Sequence, residues 1–414
     1  MKSLVAPVNL TREGVSVAAN EAEVRAAVAA VVDPDLRRAI GELGIVRSVR
    51  IGRRSTTVVL AFPVAKWPAA TAVAQAVGET LEALGVPGPP TVDMVAMTDH
   101  ERADLHLQLA LPSTRAGSDA AAGAAGHGHP HPRAPGAAPG PLGHEEGRPN
   151  RFMMPGTRTR VVGISSGKGG VGKSSVTVNL AVALAARGLE IGLLDADVYG
   201  FSVPKMLGVT RGPVAIDELL VPPVVHGVRC LSMGFFVPDE QPVIWRGPML
   251  HKALEQFLVD AYWGEPDYLL IDMPPGTGDV ALSLGQYLPR TEVLVVTTPQ
   301  PAAQRVAQRS AYAAKQLNLP VRGVIENMSW FTGDDGARYE LFGAGGGAAL
   351  AEALEVPVLG KIPLVPALRR GGDDGVPVRL SDPDGEAALA FEALADRIEA
   401  LGPSRIYRRE LTLR

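Results

Sequence analysis

A glycine-rich run at residues 167–175 reads Gly-Lys-Gly-Gly-Val-Gly-Lys-Ser-Ser. It fits the pattern G-x-x-x-x-G-K-[ST], in which glycines let consecutive backbone amides turn toward phosphate oxygens. In such a loop Lys173 reaches the β- and γ-phosphates of a nucleotide, and the hydroxyl of Ser174 ligates Mg²⁺. The alternative is an ordinary glycine-rich turn between a strand and a helix. We predict a phosphate-binding loop made of Gly167, Lys168, Gly169, Gly170, Val171, Gly172, Lys173, Ser174 and Ser175.

Acidic residues follow two apolar runs further along the chain. Asp195 and Asp197 come after the run at 191–194, and Asp272 comes after the run at 268–271. Each aspartate alone is typical of a helix cap or a turn. Together with the loop, they predict carboxylates that support Mg²⁺ and orient an attacking water. The segment Pro-Pro-Gly-Thr-Gly at 274–278 then predicts a shaped loop, in which the amide of Gly276 meets the γ-phosphate.

Strands must deliver these residues to one place. Apolar, β-branched runs predict strands over 160–165, 191–195, 268–272, 292–297 and 321–327, with helices between them, including one over 175–187. This alternation is typical of an α/β fold, a P-loop NTPase-like parallel sheet covered by helices on both faces. Ligands of such sheets bind beyond the carboxyl ends of the strands, where the loop and the aspartates are expected to meet.

Composition limits the classes of function. The chain has 414 residues, of which 46% are hydrophobic and 20% charged, and its formal net charge is −4. This balance gives no indication of a nucleic-acid-binding surface. We see neither a signal peptide nor an apolar run of membrane-spanning length, so we expect no membrane insertion and a cytoplasmic location. One cysteine, Cys230, excludes a disulfide within the chain and is expected to be a small buried residue.

Composition also divides the chain. Residues 1–111 predict a small α+β domain, with helices over 21–32 and 71–84 and strands over 44–51, 55–62 and 91–97. Residues 112–157 are rich in Gly, Ala, Pro and His and predict a flexible linker, and residues 158–414 form the domain with the phosphate loop. The linker histidines are expected either to bind metal or to be simply solvated. They are His127, His129, His131 and His144.

The small domain resembles that of iron–sulfur assembly factors of the SufT/PaaD kind. The likeness is carried by Val-Asp-Pro-Asp-Leu at 32–36 and Ile-Gly-Glu-Leu-Gly-Ile-Val at 40–46. Reactive members have a cysteine after the second strand, whereas residues 62–68 contain none here. The resemblance therefore supports the fold and argues against thiol chemistry. Asp33 and Glu42 are expected to be either functional carboxylates or a cap and a turn residue.

The larger domain resembles the Mrp/ApbC group of P-loop ATPases, within the deviant-Walker family that includes MinD and ParA. Beside the phosphate loop, the likeness rests on Asp-Ala-Asp-Val-Tyr-Gly at 195–200, Trp-Arg-Gly-Pro-Met at 245–249, Asp-Met-Pro-Pro-Gly-Thr-Gly-Asp at 272–279 and Glu-Asn-Met-Ser at 326–329. The resemblance implies ATP and Mg²⁺ as ligands, ATP hydrolysis, and a nucleotide-sandwich homodimer that transfers iron–sulfur clusters to apoproteins or works with assembly factors.

The resemblance also implies individual roles. Lys168 would cross the dimer to touch the partner subunit's ATP, and with Lys173 and Asp197 it forms the catalytic set. Asp197 would orient water, Asp195 and Asp272 would support Mg²⁺ with Ser174, and Asn327 would recognise adenine.

One departure leaves two functions open. Many members bind the cluster through a C-x-x-C pair after Glu-Asn-Met-Ser, but residues 329–339 contain no cysteine here. Since clusters are ordinarily held by several thiolates, bound cluster would have only Cys230 available in the chain. The first hypothesis is an ATP-hydrolysing cluster carrier or assembly factor. The alternative is an ATP-switched positioning or interaction protein like MinD or ParA that carries no cluster.

Overall fold

The structure is a computed structural model, and it describes residues 21–110, 150–154, 156–198, 200–237, 247–276 and 279–403. Contacts divide the chain into two compact units, Met1–Ser113 and Thr114–Arg414. The predicted linker histidines and the terminal residues 404–414 lie outside the described residues.

The first unit is an α+β domain with a three-stranded sheet of order β3-β4-β5. β4 runs antiparallel to β3 and parallel to β5. The helix predicted over 21–32 ends at Ala29, because Val32 pairs with Ala39 in a short ladder. The elements are α1 (Glu21–Ala29), β1 (Val32–Asp33), β2 (Arg38–Ala39), β3 (Val46–Ile51), β4 (Thr56–Phe62), α2 (Ala70–Ala83), β5 (Pro90–Ala96) and α3 (Asp99–Ala110).

The second unit is an α/β domain built on an eight-stranded sheet of order β10-β11-β7-β12-β6-β13-β14-β17. β10 pairs antiparallel to β11, and all the other pairs are parallel. Its elements are β6 (Arg160–Ser166), α4 (Lys173–Ala185), β7 (Ile191–Asp195), α5 (Val203–Leu207), β8 (Val214–Ile216), β9 (Leu219–Val221), β10 (Val224–Val225), β11 (Val228–Ser232), α6 (Gly247–Val259), β12 (Tyr268–Asp272), α7 (Asp279–Tyr287), β13 (Glu292–Thr297), α8 (Pro301–Gln316), β14 (Val321–Glu326), β15 (Phe331–Thr332), β16 (Arg338–Tyr339), α9 (Gly346–Leu354), β17 (Val358–Lys361), α10 (Pro366–Asp374), α11 (Val378–Ser381) and α12 (Glu386–Leu401).

Helices cover both faces of this sheet, which confirms the predicted fold class. On β13, Leu294 and Val296 face a core shared with α4 and α12, whereas Val293 and Val295 face a core shared with α8 and α9. Helices α6 and α7 complete the second face further along the sheet. Strands buried on both faces carry near-continuous apolar runs, which is why the sequence revealed them.

Strands β11 and β17 were not predicted from the sequence. An arginine interrupts the apolar run of β11, but the structure buries Arg229 with its guanidinium 4.9 Å from the ring centre of Tyr262. β17 is short and contains Gly360. In both segments the local sequence pattern for a strand is weak, and pairing with a neighbouring strand stabilises the extended conformation.

The predicted linker extends too far into the second unit. Residues up to 157 were assigned to it, yet Arg151–Met153 form a short 3₁₀ helix and Phe152 is 2% exposed. Phe152 packs edge-on against Trp263, and Arg151 donates to the carbonyl oxygen of Gly264. This aromatic anchor was hidden in a segment otherwise dominated by small and polar residues.

Candidate nucleotide site

The glycine-rich loop joins β6 to α4 at the carboxyl edge of the sheet. β6 ends at Ser166 and α4 begins at Lys173. Gly170 and Gly172 both have φ of +79°, a left-handed conformation that favours glycine. A Cβ on Gly172 would lie 2.2 Å from Nδ2 of Asn327, so neighbouring structure also requires glycine there.

The start of the loop packs against α8. A Cβ on Gly167 would lie 2.2 Å from the backbone nitrogen of Ala307. At the strand end before it, the hydroxyls of Ser165 and Ser310 are 2.9 Å apart. The loop is therefore held between its own strand and the backbone of a neighbouring helix.

A cavity of about 750 Å³ opens over this loop. Its apolar wall includes Val198, Met206, Leu250 and Val280. The residues predicted from sequence that line it are Lys168, Gly169, Gly170, Val171, Gly172, Lys173, Ser174, Ser175 and Asp197. The volume is in the range of small-molecule and cofactor sites.

Asp272 is the centre of a polar cluster with Lys173 and Ser174, which line the cavity, although Asp272 itself is not part of the lining. Its Oδ2 lies 2.8 Å from Nζ of Lys173 and accepts a 2.6 Å hydrogen bond from the hydroxyl of Ser174. Its Oδ1 lies 2.8 Å from the hydroxyl of Thr177. Asp272 is fully buried, so these groups replace the water that an ionised carboxylate needs.

Asp195 stands beside Asp272, because β7 and β12 are neighbours and pair these two residues directly. It accepts hydrogen bonds from the hydroxyl of Ser232 at 3.0 Å and the amide of Asp197 at 3.2 Å. Burial, and then the charge of Asp272, raise the pKa of Asp195 to about 7. Two carboxylates in one buried site would repel each other, so a cation is favoured between them.

Asp197 lies at the mouth of the cluster. Its Oδ2 is 3.8 Å from Nζ of Lys173, and its Oδ1 accepts from the amide of Gly200 at 3.1 Å. It lines the cavity, whereas Asp195 does not. The structure thus places the two carboxylates of this pair differently, one buried in the sheet and one facing the open space.

Lys168 also lines the cavity, and its carbonyl oxygen accepts from the hydroxyl of Ser166 at 3.1 Å. Its ammonium group has no ion pair within the described part of the chain.

Asn327 lies directly after β14, on the far side of the loop. It is 2% exposed, its Nδ2 donates to the carbonyl oxygen of Val171 at 2.9 Å, and its Oδ1 has no partner in the described residues. The side chain therefore supports the phosphate loop, and its contact with a base stays a prediction.

The amide of Gly276 has a partner within the protein in this structure. It donates to the carbonyl oxygen of Ser166 at 2.8 Å, and its contact with the γ-phosphate stays a prediction. Its φ is +89°, and its carbonyl oxygen accepts from the hydroxyl of Ser310 on α8 at 3.3 Å. Sequence showed a glycine loop here but not which strand end would take its amide.

The residues predicted to support Mg²⁺ fit such an ion chemically. Ser174, Asp195 and Asp272 offer a hydroxyl and carboxylates, which are the oxygen ligands that Mg²⁺ prefers. Within the described residues, no group of three or more His, Cys, Asp or Glu side chains is placed to hold a metal.

Two residues of the cluster were missed from the sequence. Thr177 lies four residues after Lys173 on α4, hence on the same helix face, and this spacing was a usable signal. Ser232 ends β11, a strand that was itself not predicted, so nothing in the sequence pointed to it.

The sequence that forms this site matches a known protein family. The family described as ParA, NUBPL iron-transfer P-loop NTPase, matches residues 157–399. The chain belongs to this family.

Similar proteins extend the likeness to the first unit. An iron-sulfur cluster carrier protein of Mycobacterium bovis is 43% identical over 384 residues, covering 91% of this chain and 92% of that protein. One of Bacillus subtilis is 52% identical over 202 residues, covering 49% of this chain and 57% of that protein. A solved nucleotide-binding protein of Archaeoglobus fulgidus in complex with ADP has 33% identity and a TM-score of 0.48, covering 56% of this chain and 92% of that one.

No helix in the described ranges is long and apolar enough to cross a membrane.

In this member of the family, residues 329–339 form a closed hairpin. β15 pairs with β16, and the indole of Trp330 donates to Glu386 at 2.7 Å. The guanidinium of Arg338 lies 4.5 Å from the centre of the Trp330 ring and 3.1 Å from Glu386. An aromatic and ionic cluster therefore occupies the segment where the resemblance implied a C-x-x-C pair.

Cys230 is the core residue that the sequence predicted. It lies in β11, is fully buried among apolar side chains, and burial raises the pKa of its thiol. A buried neutral thiol is a poor metal ligand, because metals bind the thiolate.

Proposed function

We propose that this chain is an ATP-hydrolysing iron–sulfur cluster assembly factor that acts as a nucleotide-sandwich homodimer and promotes cluster transfer to apoproteins. The observation that carries the proposal is the junction of Lys173, Ser174 and Asp272 at the base of a nucleotide-sized cavity. The choice of iron–sulfur clusters as cargo rests on relatives that are named cluster carriers and that match 91% of the chain.

Each residue of the site has a task in this proposal. The amides of the loop and the ammonium of Lys173 hold the β- and γ-phosphates. Ser174, Asp272 and Asp195 would hold Mg²⁺, which would supply positive charge beside the transferring phosphate. Asp197 faces the cavity and orients the attacking water. Lys168 reaches the nucleotide of a second subunit, so turnover depends on the dimer.

In this proposal the iron–sulfur cluster is cargo and not a resident cofactor of the chain. The buried thiol of Cys230 and the closed hairpin at 329–339 favour a mechanism in which thiolates of a partner hold the cluster. The chain then supplies an ATP-dependent change of shape rather than ligands. The cytoplasmic location predicted from sequence belongs to this proposal and stays a prediction.

The first experiment tests the ATPase. Purified full-length chain is assayed for phosphate release with Mg²⁺, beside Lys173→Ala and the matched exposed-lysine control Lys205→Ala. We expect turnover in the wild type and the control, and none in Lys173→Ala. Equal turnover in all three would assign the activity to a contaminant and contradict the proposal.

The second experiment tests the cargo. The chain is incubated anaerobically with iron and sulfide, alone and with an apo-ferredoxin, and bound iron and visible absorbance are measured. We expect no cluster on the chain alone and faster ferredoxin loading when MgATP is present. Stable cluster absorbance on the chain alone would place the ligands in this chain.

The burial of Cys230 also fits the alternative function, which is an ATP-switched positioning or interaction protein that carries no cluster. It predicts no effect on ferredoxin loading, together with MgATP-dependent sedimentation with anionic vesicles.

A further inference from the structure

Thr177 is a fully buried hydroxyl in the first turns of α4. Its Oγ1 lies 2.8 Å from Oδ1 of Asp272 and 2.9 Å from the carbonyl oxygen of Lys173. A hydroxyl has one hydrogen, and an ionised carboxylate is a stronger acceptor than a peptide carbonyl. The geometry therefore favours donation to Asp272.

Asn179, the next buried polar residue on this helix, shows what a purely structural role involves. Its amide donates to the carbonyl oxygen of Ser175 at 2.8 Å and accepts from the backbone of Val378 at 3.0 Å. Both partners are main-chain groups. Thr177 differs because it reaches a side chain of the polar cluster.

The two oxygens of Asp272 face different neighbours. Oδ2 is directed at Ser174 and Lys173, the groups predicted to meet Mg²⁺ and phosphate, and Oδ1 is directed at Thr177. A carboxylate held at one oxygen can still rotate about its Cβ–Cγ bond. A bond at the second oxygen fixes the plane of the group.

We propose that Thr177 is a positioning residue that fixes the Asp272 carboxylate so that Oδ2 is presented to Ser174 and to the Mg²⁺–nucleotide complex. The inference rests on the proposed MgATP site and adds a residue that acts only through Asp272. This role divides nucleotide binding into two contributions. The loop amides and Lys173 hold phosphate without metal, and Thr177 affects only the Mg²⁺-dependent contribution.

The test uses full-length protein and three variants. Thr177→Val keeps the shape and removes the hydroxyl, Thr177→Ser keeps the hydroxyl, and Thr291→Val is the matched control. Thr291 is also fully buried, but its hydroxyl donates only to the carbonyl oxygen of Leu288, at 2.7 Å. Affinity for a fluorescent ATP analogue is measured in EDTA and across a Mg²⁺ titration.

We expect Thr177→Val to bind nucleotide in EDTA within about twofold of wild type and to need about tenfold more Mg²⁺ for half-maximal enhancement, as expected when a hydrogen bond to a charged group is lost. Thr177→Ser should restore the midpoint to within about twofold, and Thr291→Val should leave it unchanged. With Mn²⁺ as probe, the electron paramagnetic resonance spectrum of the bound ion should change in Thr177→Val alone.

Two results would overturn the proposal. One is a wild-type Mg²⁺ midpoint in Thr177→Val, and the other is an equal loss of affinity with and without metal, which indicates a damaged helix. If Thr177→Val does not fold, Thr177→Ala, which also lacks the hydroxyl, is titrated against Thr177→Ser with the same criteria. Failure of the proposed function looks different, since the wild type itself would then show no Mg²⁺-dependent nucleotide binding.

Discussion

Each unit of this chain buries a carboxylate, and the two differ in the groups that surround it. In the first unit, Oδ1 of Asp33 accepts from the amides of Asp35 and Leu36, both at 2.9 Å, and Oδ2 accepts from the indole of Trp67 at 2.8 Å. The bonds to the two following amides fit the cap or turn role that was one of the alternatives expected for Asp33. In the second unit, Asp272 meets an ammonium group and two hydroxyls.

The kind of donor around each carboxylate distinguishes a structural carboxylate from a functional one. Backbone amides and an indole are donors held by the fold, so the three bonds of Asp33 tie its carboxylate to its own turn and to Trp67. Ammonium and hydroxyl groups move and can exchange one partner for another. Beside a cavity of about 750 Å³, such groups form a site in which phosphate and Mg²⁺ take over contacts that the residues make with each other.

The largest expected effect is that of Lys173→Ala. It removes the buried cation of the second cluster, so we expect the Kd for ATP to rise by roughly 100-fold or more, since bonds to charged groups contribute about 1.5–3 kcal/mol. Fluorescence titration with an ATP analogue measures this. A Kd within threefold of wild type in a folded variant would contradict the claim that the polar cluster around Asp272 binds nucleotide.

Asp197→Ala is expected to reduce turnover by about 100-fold, because a positioned acid–base group contributes at least that much. Its ATP affinity should stay within about threefold, since the loop and Lys173 are intact. Steady-state phosphate release and equilibrium binding are measured together, with the exposed Asp334→Ala as control. Wild-type turnover in Asp197→Ala would show that the water is oriented by another group.

Asp33→Ala is expected to lower the free energy of unfolding of the first unit by about 2–4 kcal/mol, because it leaves three buried donors without acceptors. ATP turnover should be unchanged. Hydrogen exchange across residues 21–110 in increasing urea measures the loss, and the exposed Asp93→Ala is the control in the same unit. Loss of turnover without loss of stability would instead assign Asp33 a functional role.

The smallest effect concerns pH. The pKa of Asp195 is raised from its ordinary value of 3.8 to about 7, so the folded protein keeps a proton that the unfolded chain releases in that window. The free energy of unfolding contributed by this group therefore falls as pH rises from about 4 to 7. Nucleotide-free Asp195→Asn should melt a few degrees above wild type at pH 8 and show a smaller difference at pH 5. An equal difference at both values would contradict the raised pKa.

Much of the nucleotide site was predictable because its signals are local. The glycine positions, Lys173 and Ser174 form one continuous pattern, and β7, β12 and β13 have the predicted bounds, since strands buried on both faces read as apolar runs. Phe152 and β11 were missed for the opposite reason. Their burial depends on Trp263 and Tyr262, which are far away in sequence.

Residue type and short-range spacing were enough to predict the fold class, the phosphate loop and the candidate aspartates, and to show the shortage of thiols. The tertiary structure selects the partner of each polar group. It directed the Gly276 amide to Ser166, buried Asp195 while leaving Asp197 at the cavity, and placed Thr177 against Asp272. The physical reason is that hydrogen-bond partners are chosen by strand order and helix packing, which join residues that the chain keeps far apart.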